Sequence, residues 1–129
     1  MDYVVIDTDV ASWLQRGTLP HALASRLTGT TLCITFVTVG EFYKGAYKRA
    51  WGPRRIALLE DWLRRVVVLP YDGGVARWWG RISAAALTRG RAIPANDAWI
   101  AASCLSRSLP LATMNHRHFE SIENLRLIP

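Results

Sequence analysis

The chain has 129 residues and a mass of 14.5 kDa, the size of one ordinary domain. Half of it is apolar, with a mean hydropathy of +0.09, which excludes a disordered tail and a small scaffold dependent on staples. Cys33 and Cys104 are its only cysteines, too few for a disulfide framework. No apolar run approaches the ~18 residues that cross a bilayer, and the N-terminus carries Asp2 and Asp7 where a signal peptide carries basic residues. A soluble cytoplasmic protein with a single domain over residues 1–129, not associated with membranes, is expected.

The net charge is +6, with sixteen basic and ten acidic residues, and it is unevenly spread. Residues 42–96 hold eleven Lys or Arg and three Asp or Glu, whereas the flanks are slightly acidic. Fourteen of the sixteen basic residues are Arg, whose planar fork suits bidentate contact with phosphate. A basic middle therefore predicts a phosphate-bearing or acidic partner, against the plainer reading of a solvated surface.

In chain order, Tyr3–Ile6 is a short apolar run that reads as a buried strand. Helices follow over 9–16, closed by Gly17, and over 20–27, with Pro20 in the first turn. Thr31–Thr35 is a second strand. The segment from Thr38 to Glu41 reads as a capping box opening a helix that runs to about Arg49. Pro53 opens another helix, with Leu58, Leu59, Trp62 and Leu63 as an exposed-looking apolar stripe. Val66–Leu69 is a third strand. Asp72 caps a long helix whose apolar stripe is Val75, Trp78, Trp79, Ile82, Ala86 and Leu87. The adjacent Trp78 and Trp79 cannot both face one core, so one is expected at an interface. A helix from Pro94 to Ser106, a strand at 111–113, a turn or short helix at 114–120 and an edge strand at 125–128 complete the chain. Strands alternating with helices predict an α/β fold, with a parallel sheet covered on both faces and ligands at the carboxyl ends of the strands.

Those ends collect oxygen-bearing side chains. Asp7 follows the first strand, Glu41 lies near the start of the helix after the second, Asp97 near the start of the helix before the fourth, and Asn115 follows the fourth. Each has a structural reading as a helix cap: Asp7 for the helix behind it, Glu41 as partner of Thr38, and Asp97 for its own helix. Carboxylates brought together repel unless a cation lies between them, and Mg²⁺ is the usual hard cation beside phosphates. The cysteines read as core. A histidine acid/base pair among His21, His116 and His118 is the weaker reading, because their spacing keeps His21 far from the others. An Asp-x-Asp phosphatase is disfavoured, since Ala11 stands where Thr is wanted and the only lysines, Lys44 and Lys48, share one early helix. A phospho-receiver domain lacks the same late lysine.

Four segments, Val5–Val10, Thr38–Ala46, Asn96–Ala102 and Leu111–Glu120, together resemble the PIN-domain ribonuclease toxins of the VapC family over nearly the whole chain. The resemblance implies an α/β/α sandwich with strand order 3-2-1-4-5 and an endoribonuclease dependent on Mg²⁺, with Mn²⁺ as a substitute. It also implies a VapB-type antitoxin partner and a homodimer able to enter a larger toxin–antitoxin complex. Asp7, Glu41 and Asp97 match the family's acidic triad and would hold the metal, while Asn115, an amide, stands at the fourth acidic place. Asp9 and Glu120 are candidates to make up the charge, and Thr8 and Thr113 to add hydroxyls. Lys44, Lys48, Arg81, Arg89 and Arg91, with Arg77, are expected to hold RNA beside the acids. A non-catalytic PIN module that grips RNA or an antitoxin without cutting is the alternative.

Overall fold

The computed structural model describes residues 2–129. β1 (Tyr3–Ile6), β2 (Thr31–Thr35), β3 (Val67–Leu69), β4 (Leu111–Ala112) and β5 (Leu127–Ile128) form one parallel sheet in the order β3-β2-β1-β4-β5, the predicted order. The helices are α1 (Thr8–Arg16), α2 (His21–Leu27), α3 (Phe36–Lys48), α4 (Pro53–Leu63), α5 (Gly73–Thr88), α6 (Ala95–Arg107) and the single-turn α7 (His116–Phe119).

Strand periodicity builds the two faces. Side chains alternate across a strand, so Val5, Cys33 and Leu111 join one core with Val75, Ile82, Ile100 and Phe119. Val4, Ile6, Ile34 and Ala112 join the other, with Val10, Leu23 and Leu27. Helices therefore cover both faces, and the central strands read as continuous apolar runs because neither face meets water. Ile34 is fully buried in the middle of β2. Ile34→Ala is expected to cost about 2–5 kcal/mol, read as a lower urea midpoint at unchanged slope.

Three local expectations are corrected. First, α3 begins at Phe36: Thr35, the last residue of β2, caps it through its Oγ1, which accepts from the Thr38 amide at 3.4 Å. No capping box links Thr38 to Glu41. The strand passes into the helix without a loop, so the cap lies three residues earlier than composition suggests, and Thr38 and Glu41 are released from backbone duty. Second, the stripe on α4 is mostly internal. Leu59 is buried, Trp62 and Leu63 pack on the second core, and only Leu58, 61% exposed, faces solvent. Third, Ile82 is buried whereas Leu87, 71% exposed, leaves the α5 stripe near its C-terminal end. Trp79 stacks on Trp99 with ring centroids 5.0 Å apart, and Trp78 lies under the Arg81 guanidinium at 5.2 Å. Both tryptophans are half-buried. Among the described residues no helix is long and apolar enough to cross a membrane.

Candidate active site

β1 sends the chain to β2 on one side, while β4 lies on its other side, so the strand order reverses between β1 and β4. Such a switch point opens a crevice at the carboxyl ends of the strands. The register pairs Ile6 with Ala112, which places Asp7 and Thr113 side by side at the mouth of that crevice. Thr113 Oγ1 donates to Asp7 Oδ2 at 2.5 Å and accepts the Asn115 amide at 2.9 Å. Asp7 Oδ1 accepts from the Val10 amide at 3.0 Å and caps α1. The capping and site readings of Asp7 are thus both true: the bond that caps the helix also fixes the carboxylate.

Asp7 is only 6% exposed. Burial pushes its pKa above the usual carboxylate range, the bonds from Thr113 and Val10 oppose that shift, and the nearby charges of Asp9 and Asp97 add to it. Asp97 lies in the first turn of α6, but Pro94 occupies the cap position and no side chain caps that helix. Its carboxylate is free for other work, and Oδ2 meets His118 Nδ1 at 2.8 Å. The same ring nitrogen lies 3.1 Å from the Asn115 amide. The atom facing the ring is Asn115 Nδ2, and one ring nitrogen cannot both donate to Asp97 and accept from Asn115, so a proton given to the carboxylate leaves Asn115 a packing neighbour only.

Glu41 belongs to a parallel arrangement on α1 and α3. Thr8 Oγ1 donates to Glu41 Oε1 at 2.7 Å and lies 2.9 Å from Thr38 Oγ1. Thr8 has one proton and gives it to the carboxylate, so Thr38 donates to Thr8. The chain Thr38–Thr8–Glu41 explains why Thr38 is fully buried yet polar.

The acids do not all converge as expected. Asp7 and Asp97 are close enough for their charges to couple. Glu41 is held by Thr8, however, and among the described residues no three His, Cys, Asp or Glu side chains surround one point. Asp97 is turned toward His118 and Glu41 toward Thr8. Asn115 faces His118 rather than the acids, Asp9 is exposed beside Thr8, and Glu120 is exposed with only its backbone amide bonded, to His116.

The basic residues are also redistributed. A cleft of about 550 Å³ opens beside Thr8, Asp9 and Glu41, and its basic side chains are Arg16, Arg49 and Arg55. On α3 the residues lining it are Glu41, Phe42 and Gly45. At about 100° per residue these lie to one side of Glu41, and Lys44 and Lys48 fall to the other. Arg81 and Arg89 line a separate groove of about 190 Å³ against Leu105 and Ile122, sharing no residue with the acidic cluster, and Arg77 and Arg91 are exposed. Helical angle carried the signal for Arg49, whereas Arg16 and Arg55 enter through the packing of α1 and α4, which spacing does not reveal. His118, read from the sequence only as an acid/base candidate, enters the cluster as the partner of Asp97. Burial raises both cysteine thiols, so neither serves as a nucleophile.

The chain matches the PIN domain over residues 4–125. It is 39% identical over 95 residues to ribonuclease VapC2 of Haemophilus influenzae, covering 74% of this chain and 72% of the relative. It is 37% identical over 95 residues, with the same shares covered, to the tRNA(fMet)-specific endonuclease VapC of Shigella flexneri. The structure of VapBC-1 from nontypeable Haemophilus influenzae superposes with a TM-score of 0.86 at 28% identity, covering 98% of this chain and 96% of that one. A parallel sheet in this order, acids at its switch point and relatives of this kind lead to one conclusion: the chain belongs to the PIN-domain family and, within it, to the VapC ribonucleases.

Proposed function

We propose that the chain is the endoribonuclease toxin of a cytoplasmic toxin–antitoxin pair, cutting RNA phosphodiester bonds at Asp7, Asp97 and Glu41 with a divalent cation, Mg²⁺ or Mn²⁺. One observation carries this reading. The buried Asp7 carboxylate has Asp97 and Asp9 nearby, and among the described residues none of the three is paired with a Lys or Arg. Buried carboxylates without cationic partners are costly, and an all-oxygen donor set suits a hard divalent cation. Asp97 Oδ1 and Glu41 Oε2 carry no hydrogen bond among the described residues, so both acids keep an oxygen to offer. When bound, the cation supplies a Lewis acid for the phosphate and lowers the pKa of a water.

The chain's own groups supply placement. Thr113 and the Val10 amide hold both oxygens of Asp7, Thr8 orients Glu41, and His118 orients Asp97. Such outer partners are what fix acidic ligands in metal sites. Where the nucleophile is a water activated by that cation, neither a ribose 2′-hydroxyl nor a histidine base is required. The expected products therefore carry 5′-phosphate and 3′-hydroxyl ends. End-group analysis of a cleaved RNA, with EDTA as the stop control, checks this, and cyclic 2′,3′-phosphate ends would overturn it. The second reading, a PIN module that binds without cutting, is favoured only by Asn115, which adds no charge and faces His118. Absence of cleavage in both Mg²⁺ and Mn²⁺ would select it. The same proposal includes a VapB-type antitoxin as partner and a homodimer, for which Leu58 and the half-exposed Val67 and Val68 of the edge strand β3 offer apolar surface.

A further inference from the structure

The cleft beside Glu41 is basic at its far end. Arg16 comes from the last turn of α1, Arg49 caps the end of α3, and Arg55 lies in the first turn of α4. Among the described residues none of the three has a carboxylate within salt-bridge distance. The acids of the same cleft lie toward the other ends of these helices: Asp9 is in the first turn of α1, whose last turn holds Arg16, and Glu41 lies two turns before Arg49 along α3. A cleft end lined by charges of one sign focuses the field and concentrates anions there. Two further features show that these arginines are placed. The Arg55 guanidinium lies over the Trp51 ring at 4.5 Å, a contact that orients a cation on an aromatic face. Arg49 folds back across α3 over Gly45, where a Cβ would lie 2.9 Å from its Nη1. Glycine in the interior of a helix is unfavourable by itself, and here it leaves room for the guanidinium to lie close against α3, where an added methyl would make the flexible end of Arg49 shift.

Resting on the ribonuclease reading above, we propose that this cleft is the phosphate subsite for single-stranded RNA, with Arg16, Arg49 and Arg55 gripping the backbone next to the cleavage point. Arginine forks match phosphate oxygens bidentately, and an aromatic ring among basic groups is what single-stranded nucleic acid takes. The polarity of the cleft fits: a cation-holding end for the phosphate that reacts, an arginine end for the phosphates beyond it. Lys44, Lys48, Arg81 and Arg89 lie outside this path and add only general attraction.

Fluorescence anisotropy of a short labelled single-stranded RNA of mixed sequence, with EDTA present to prevent cleavage, tests the subsite across a salt series. Each of Arg16→Ala, Arg49→Ala and Arg55→Ala is expected to flatten the slope of log affinity against log salt by about 0.7, the value for one lost phosphate contact on a single strand. Arg64→Ala, outside the cleft, leaves the slope unchanged. Gly45→Ala keeps every charge and removes a helix-destabilising residue, so it is expected to keep or raise Tm while weakening RNA binding less than Arg49→Ala does, because the Arg49 end must shift but its charge remains. That variant holds the test open if a multiple arginine variant fails to fold. Unchanged affinity and slope in the arginine variants would overturn the proposal. So would intact RNA binding combined with lost binding of a co-expressed antitoxin, which would assign the cleft to an acidic peptide. Arginine-dependent RNA binding without cleavage in Mg²⁺ or Mn²⁺ would retain the subsite and defeat the ribonuclease reading; normal cleavage with unchanged slopes would do the reverse.

Discussion

Asp7→Asn is expected to abolish RNA cleavage and to raise the melting temperature at pH 7. The activity loss follows from placement. Asp7 is the buried acid at the β1/β4 switch point, and replacing it removes a charge any bound cation needs. Even the outer partners of metal ligands are worth about 10–100-fold, so the loss for a direct ligand exceeds about a hundredfold. The stability gain follows from burial. Desolvation, with Asp9 and Asp97 adding to it, raises the folded-state pKa of Asp7 above 3.8, so the folded protein favours the protonated acid. That preference stabilises the fold fully below pH 3.8 and is lost as pH rises through the folded-state value. At neutral pH the ionised carboxylate is therefore a liability that asparagine does not carry. Asparagine also caps helices as well as aspartate does, so the bond from the Val10 amide survives. Thermal melts of both proteins from pH 7 down to pH 3 check this: the variant leads at pH 7 and the difference shrinks as pH falls. A lower Tm at pH 7 would show that the bond from Thr113 outweighs the desolvation of Asp7.

The α/β class and the placing of acids after strands are legible because they rest on local signals, whereas the strand order is what the family resemblance implies. Central parallel strands need apolar residues on both faces, so Tyr3–Ile6 and Thr31–Thr35 announce themselves, and a carboxylate following such a strand marks a crevice edge. What could not be read was which way each acid turns. Glu41 looked like a capping partner because Thr38 precedes it by three residues, yet Thr35 takes the cap. Composition does not decide between two threonines three apart; the end of β2, fixed by pairing of Thr35 with Leu69, does. The side of each helix that the basic residues take is hidden for a related reason. Charge counts give no direction, and only the angle around α3 separates Arg49 from Lys44 and Lys48, while Arg16 and Arg55 reach the cleft through the packing of α1 and α4. Leu58 and Leu59 show the same limit, since neighbours in sequence point about 100° apart on a helix and a stripe does not say where the edge of its covered face will fall.

The His118–Asp97 pair is a contact between residues of α6 and α7 that no spacing along the chain announces. Its measurable consequence is a separation of metal affinity from stability. His118 is exposed enough, at 45% of its side chain, to be removed without a cavity, and α7 is anchored beside it by the fully buried Phe119. An exposed pair of this kind contributes about 0–1 kcal/mol to folding, so the Tm of His118→Ala should stay close to that of the parent. Asp97 then loses the group that holds Oδ2 at 2.8 Å, and its carboxylate is free to swing among rotamers. Mn²⁺ affinity, measured by titration calorimetry, is expected to fall by about 10–100-fold, and cleavage at subsaturating metal to fall with it. His118→Gln, which restores an N–H donor, should recover part of both. Tighter Mn²⁺ binding in the alanine variant would mean the opposite relation, with the imidazole competing with the cation for the Asp97 carboxylate. A large drop in Tm with unaltered metal affinity would make His118 a tether between α6 and α7 alone.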